Sequence, residues 1–391
     1  MATLIEKTIG STGDYSTLYL WADALPADLT AATGTDELWR GVLLSEEHPL
    51  TTKLSINGIT TDADCYIELT AAAGGSFCDY PNVPLTYSTN YARITGNLSF
   101  ETGGQLDIYP DYSRFNRIQF SMRLSYSRSL RMRGNYASAE RNVLRAWDSG
   151  GSGNSSYDNV NSSDGIYQTW INNVFIDETL LGTTAFRAIA SFHTIHHNLF
   201  VRPSSLSAGG AGMDPGYVRV AIHNNSYWNL TGPMNAAGNN SNWLLPTNNA
   251  MDTTQANASN RNLSTDNLYE LTFADQFNST INDFRLKNGN DVVYEGLDVT
   301  SLVPFDIYGA TRSSISPTIG VEQYFVPITL SDGNVISTNP AAVLASVTSD
   351  TSGGTLYYVS QLSSAAAPTI AQIKLGNNSA NVAAEQSGSI S

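Results

Sequence analysis

The hydrophobic positions of this chain follow a two-residue period in short runs, not the helical period. In Val218-Arg219-Val220-Ala221-Ile222-His223 the larger apolar residues Val218, Val220 and Ile222 share one face, the alternation of a half-buried strand. In Phe186-Arg187-Ala188-Ile189-Ala190-Ser191-Phe192 the large residues do not fall on one helical stripe. Clusters of Gly, Asn, Ser and Asp punctuate the runs, as in Ser149-Gly150-Gly151-Ser152-Gly153-Asn154. Strands are expected at 38–44, 65–69 and 91–98, with polar loops at 149–164 and 235–262. The exception is near the start, where Leu18, Trp21, Ala22 and Leu25 align at helical spacing, with Ser16 or Asp14 placed to cap the helix.

Within 165–270 a small pattern recurs: Asn, any residue, then an aromatic ring. Its copies are Asn173-Val174-Phe175, Asn198-Leu199-Phe200, Asn225-Ser226-Tyr227 and Asn267-Leu268-Tyr269. The first three are 25 and 27 residues apart, and the fourth follows after 42. A period in the twenties is the mark of a solenoid whose coils stack one on the next. A short amide bonds backbone at turns and tolerates left-handed dihedrals. Stacking would therefore align the Asn residues in a ladder, with each aromatic pointing into the core. The fold class expected is all-β: a right-handed parallel β-helix with a short N-terminal capping helix and a small C-terminal β-sandwich-like unit. The boundaries expected are 1–36 for the N-terminal cap, 37–325 for the β-helix and 326–391 for the C-terminal unit. In that last unit, 345–350 and 355–360 read as two strands joined by a turn at 351–354.

Composition narrows the role. Of 391 residues only 14% are charged and the formal net charge is −15, so nucleic acid is excluded as a partner by repulsion of phosphate. No apolar run is long enough to cross a bilayer, and the N-terminus lacks a basic start followed by an apolar stretch, so no secretory signal is read. Cys65 and Cys78 read as two buried thiols.

Eight arginines (Arg114, Arg117, Arg123, Arg128, Arg131, Arg133, Arg141 and Arg145) crowd residues 113–145. They could form a site for an anionic sugar or a seam with an acidic partner. Alternatively they are a solvated strand face, since Arg131 and Arg133 alternate with Leu130 and Met132. His193, His196, His197 and His223 lie close together in sequence, with His196 and His223 expected to align between coils. No third and fourth ligand accompanies them, so a polar ladder is expected and no metal or other cofactor is assigned. The acidic residues Asp164, Asp177, Glu178 and Asp214 fall at unrelated phases of the repeat, so no catalytic pair is assigned. Trp170 and Trp228 read as core or as sugar platforms, and Trp243 as a sugar platform.

Two stretches resemble known proteins. Asp283-Phe284-Arg285-Leu286, Val303 to Arg312 and Ile319-Gly320-Val321-Glu322 are similar to the closing segment of the pectate-lyase-like right-handed β-helix superfamily. There, Asp306 and Arg312 would pair across a turn that Gly309 permits, and Gly320 would allow close backbone approach. Thr8 to Leu18 with the helix that follows, and Ile59 to Asp64, resemble segments of β-helix proteins encoded by bacteriophages, and Ala345 to Gly376 looks like the first half of a fibronectin-like sandwich. The resemblance implies a structural or receptor-binding virion component (tail fibre, tail spike or head appendage) made in the host cytoplasm. It implies a homotrimer that meets other virion proteins and host surface polysaccharide. The alternative is a polysaccharide lyase or glycoside hydrolase on the same scaffold, and a third reading is a bacterial surface adhesin.

Overall fold

The computed structural model describes residues 2–96, 104–123, 128–147, 158–162, 165–178, 184–188, 192–206, 211–214, 220–230, 232–234, 248–252, 268, 271–287, 292, 295–312 and 317–323. It also describes the backbone of 330–339, 342–349, 356–359 and 387–390. The chain divides into two compact units, Met1–Phe325 and Val326–Ser391.

The first unit is a right-handed parallel β-helix. Each coil contributes a strand to three parallel sheets in turn, of eight, eight and seven strands. The first sheet begins with Thr3–Ile9 and Glu37–Leu43 and ends with His193–His196 and Val220–His223. The second runs from Glu47–Leu50 through Val143–Trp147 and Val174–Glu178 to Ala250–Met251, and the third from Leu54–Ile56 to Gly232–Met234. Glu47–Leu50 is an edge strand and carries Pro49, which cannot donate to a further strand.

The repeated motif explains how the coils stack. Asn142, Asn173, Asn198, Asn225 and Asn249 form a buried ladder. Each Nδ2 donates to the next Oδ1 at 3.0, 3.0, 3.0 and 3.2 Å. Each Oδ1 of the later four also accepts the preceding Asn's backbone N–H, at 2.9–3.1 Å. The residue two places on enters the core, and Phe175, Phe200 and Tyr227 stack at 4.6 and 4.8 Å with planes 4° apart. The fourth expected copy, at Asn267, lies outside the described residues, and Asn249 holds the next rung. Immediately before each ladder Asn comes a corner residue at positive φ: Arg141 (56°), Asn172 (55°), His197 (55°), Asn224 (57°) and Asn248 (53°). That is the left-handed conformation a tight corner demands.

Near the start, the helix spans Leu18–Asp23 and buries Leu18 and Trp21 in the same core as the first coils. Its cap is Thr17, whose hydroxyl accepts from Leu20 N, not Ser16 or Asp14. Asp14 is taken by Thr8, accepting from its backbone N–H at 2.8 Å. Gly41 is required there, because a Cβ would sit 2.7 Å from the Trp21 ring.

A second apolar layer lies outside the coils. Val143, Val174, Ile176, Leu199, Val201 and Trp228 point outward from the second sheet. They are covered by Phe77, Leu85, Phe277, Phe284, Leu286, Ile307, Ile319 and Val321. The covering strap, the described residues between 273 and 323, is gripped by the corner residues. Arg141 Nε donates to Ile307 O at 2.8 Å, Asn172 Nδ2 to Phe305 O at 2.7 Å, Asn224 Nδ2 to Leu297 O at 2.7 Å and Asn248 Nδ2 to Glu295 O at 3.0 Å. Gly320, at φ 98°, donates its N–H to Asn224 O at 2.7 Å.

The expected pairing of Asp306 with Arg312 is not what the strap does. Asp306 closes its own turn, accepting from Tyr308 N at 2.9 Å and Ala310 N at 2.8 Å. Buried Arg312 instead reaches Asn172 Oδ1 at 2.7 Å and the carbonyls of Gly320 and Val321. A planar guanidinium spans several acceptors at once, which suits it to a seam between separate segments.

In the second unit, Leu330–Asn339 pairs antiparallel with Ala342–Ser349, and Leu356–Val359 with Ser387–Ile390. The strands expected at 345–350 and 355–360 therefore do not pair with each other. Each finds a partner elsewhere, and the turn expected at 351–354 lies outside the described residues.

Candidate functional site

The third sheet brings polar residues of five coils to one register position. Asp107 pairs with Arg131, Arg131 with Asn161, Asn161 with Arg187, and Arg187 with Asp214. Leu106, Leu130 and Met132 on either side point into the core, so Asp107 and Arg131 lie on the outer face. Asp107 is fully buried and sits 2.9 Å from Lys53 Nζ. The strand spacing of about 4.8 Å puts these five register positions at regular intervals along the solenoid. Asp214, read from the sequence as out of phase with the repeat, is in register with Arg187. The loops before these strands differ in length, so linear spacing hides the alignment.

The other acidic candidates are structural or lie elsewhere. Asp177 is buried in an ion pair with Arg202 at 3.2 Å, the two side chains 1% and 2% exposed. Glu178 pairs with Arg145 at 2.6 Å, and Asp164 lies outside the described residues. Sequence reasoning missed Glu140, which sits in a cleft of about 330 Å³ on the first sheet with Arg40, Glu68, Asn116, Arg117 and Arg141. Burial holds the Glu140 carboxyl above its ordinary range, outweighing the pull of Arg114 and Arg141. Glu68 in the same cleft is already engaged, accepting from Arg40 Nε at 2.8 Å and Asn116 Nδ2 at 3.0 Å.

The eight arginines do not form one patch. Arg114 lies 3.8 Å over the Tyr66 ring, Arg133 lies 4.6 Å over Tyr109, Arg117 pairs with Asp79, and Arg141 holds the strap. The side chains of Arg123 and Arg128 lie outside the described residues. The crowding in sequence is dispersed because consecutive strands belong to different sheets.

Among the histidines, His196 and His223 align on adjacent coils with ring centroids 4.9 Å apart. His196 is buried, and burial first, then His223, lowers its pKa to about 3. His197 donates from Nδ1 to Gly320 O at 3.1 Å and accepts at Nε2 from Asn224 Nδ2 at 3.0 Å. Burial, reinforced by Arg312, keeps it neutral. These imidazoles belong to the packing of coil and strap, and among the described residues no group of three His, Cys, Asp or Glu could hold a metal ion. Cys65 and Cys78 are free and buried, and burial raises both thiols to about 11. Trp170 is in the inner core and Trp228 beneath the strap, so neither is a sugar platform. Trp243 lies outside the described residues. Among the described residues no helix is long and apolar enough to cross a membrane.

The outer corner between the third and first sheets carries a stack of aromatic rings. Tyr112, Tyr136, Tyr167 and Phe192 follow at 4.9, 5.1 and 5.0 Å, with planes 8–17° apart. All four have positive φ, and the last three are more than 40% exposed. Their faces cover one another, so only ring edges are presented along the stack.

No protein-family model matches the sequence, and no curated protein sequence matches it. Solved structures of similar chain path include a pectin methylesterase from Aspergillus niger in penultimately deglycosylated form (15% identity, TM-score 0.40, covering 66% of this chain and 88% of that one). The pectate lyase Pel9A is another (12% identity, TM-score 0.40, covering 83% and 97%).

Proposed function

We propose that this chain is a polysaccharide-contacting β-helix of a bacteriophage particle, a tail fibre, tail spike or head appendage that meets glycans of the host surface. The observation that carries the glycan contact is the register column Asp107–Arg131–Asn161–Arg187–Asp214. A polymer of sugars lying along the solenoid axis would run past one polar register position per coil, with Arg131 half-exposed and Asp107 buried beside Lys53, and charged donors and acceptors hold hydroxyls more firmly than neutral ones. The phage assignment is supported by the resemblance of the opening segment 8–18. Homotrimeric assembly, contact with other virion proteins and location on the particle belong to the same reading.

The test is retention of the purified chain by immobilised bacterial surface polysaccharides, with Arg131→Ala and Asp107→Asn as variants. Polymer-dependent retention that the Arg131→Ala variant loses supports the reading; equal retention of variant and parent defeats it. Light scattering tests the assembly, with three times 42.1 kDa expected. A second reading, a polysaccharide lyase or glycoside hydrolase, is favoured by the acidic and basic residues that share this register column, carboxylate and guanidinium being groups that supply a base and a charge clamp. New reducing ends, or absorbance from unsaturated uronate, on incubation with the retained polymer would establish it.

A further inference from the structure

The outer face of the second sheet changes character along the solenoid. One outward column is apolar and under the strap from Val143 through Val174 to Leu199, and the next from Ile176 through Val201 to Trp228, but the positions before them are polar and open. They carry one outward column of Glu47 and Arg93 and a neighbouring one of Pro49, Thr95, Ser121 and Arg145, each in register from coil to coil. A cleft of about 510 Å³ lies over these columns, walled by Tyr87 and Trp147. That volume is within the range of small-ligand sites.

The chemistry of the cleft is specific. Both arginines are neutralised: Arg93 lies 3.1 Å from Glu47, and Arg145 lies 2.6 Å from Glu178. Neither side chain is loose, because Arg93 also donates to Thr89 O, and Arg145 lies 4.9 Å over the Tyr87 ring and donates to Ser121 Oγ at 3.4 Å. Thr95 Oγ1 donates to Glu47 Oε1 at 2.8 Å, which fixes the orientation of that hydroxyl. The floor is therefore a rigid array of donors and acceptors with no surplus charge, beside a half-buried indole. A pyranose has the matching form, with a rim of hydroxyls and an apolar C–H face that packs on an aromatic ring. An acidic sugar would find no unpaired cation here and would approach a chain of net charge −15.

We propose that this cleft is a binding site for a neutral hexose unit, separate from the third-sheet column and independent of whether that column contacts glycan.

The test is calorimetric titration of the full chain with maltotriose, cellotriose and mannotriose, with trigalacturonate as the acidic comparison. At least one neutral trisaccharide is expected to bind. Trp147→Ala should weaken that binding by about tenfold or more, Trp147→Phe by much less, and Arg131→Ala on the third sheet not at all. Should Trp147→Ala fail to fold, Thr95→Val carries the test with a loss in the same direction. The inference is overturned if no neutral trisaccharide binds at millimolar concentration. It is equally overturned if binding is indifferent to both Trp147→Ala and Thr95→Val, or if trigalacturonate binds more tightly than every neutral probe. Loss of polymer retention in Arg131→Ala with trisaccharide binding intact would separate this site from the third-sheet reading.

Discussion

The two halves of the second sheet share one backbone plan and one inner core, yet their outer faces differ in kind. In the early coils the outward columns are Glu47, Arg93, Thr95, Ser121 and Arg145, and the face is open. The transition falls on the strand that carries both Arg145 and Val143, after which the columns become Val143, Val174, Ile176, Leu199, Val201 and Trp228 and are sealed by the strap. The Asn ladder begins at Asn142, at the same transition, and the equivalent rung one coil earlier is Ile118 in the apolar core. Corner residues of the later coils both turn the chain and hold the strap. One solenoid therefore carries a structural half, tied on both sides of the sheet, and a half whose outward side chains are available to a ligand.

The sharpest way to break this comparison is Trp228→Ala. The ring packs against Phe273 at 5.8 Å and Phe277 at 5.3 Å, and its removal should cost about 3–5 kcal/mol by chemical denaturation. A loss near zero would mean that the strap is not tied to the coils. Next comes Asn198→Ala, which strips the acceptor from two buried N–H groups of Asn173 and a donor from Trp170 O and from Asn225 Oδ1, the latter keeping the backbone N–H of residue 198. A loss of about 3 kcal/mol is expected from buried amides left unpaired.

Glu322→Gln sharpens the picture through pH. Burial raises the Glu322 carboxyl to about 7, while Leu286 N–H, 2.8 Å away, and Arg285 pull it down. Its folded pKa lies above the unfolded value, so the protonated form is the one the fold favours. Stability from this group is full below about pH 4.5 and is lost as pH rises toward 7. The Gln variant keeps the acceptor, so it should gain on the order of 2 kcal/mol over the parent at pH 8 and differ little at pH 5. His196 and His197 act in the opposite sense. Their folded pKa values lie below the ordinary 6.5, so their contribution is full above that pH and is lost as pH falls below it. Thermal melts of parent and variant at both pH values separate the contributions.

The smallest effect is expected in the open half. Arg145→Ala removes a pair with Glu178 whose side chains are 27% and 30% exposed, and the expected loss is below about 1 kcal/mol. A loss as large as that of Trp228→Ala would erase the distinction between the halves.

Much of the inner architecture is legible in the sequence. Asn173, Asn198 and Asn225 announce the ladder, and the aromatics two residues on announce the core stack, because both depend on a local two-residue alternation. The His196–His223 alignment was legible for the same reason. Other features were not. Asp214 appeared out of phase because third-sheet strands follow loops of unequal length. Glu140 carried no signal beyond one acid among arginines, and its raised pKa comes from neighbours on other coils. Arg312 was expected at Asp306, six residues away, yet its landing point is Asn172, 140 residues distant.

The sequence by itself determined which side of each strand faces inward and where each coil turns. Alternation of side chains and left-handed corner dihedrals are properties of a few adjacent residues. Only the tertiary structure decided what each outer face would be. Whether an outward valine or arginine is sealed or open depends on where the strap lies down, and that is fixed by contacts such as Arg141 with Ile307, 166 residues apart.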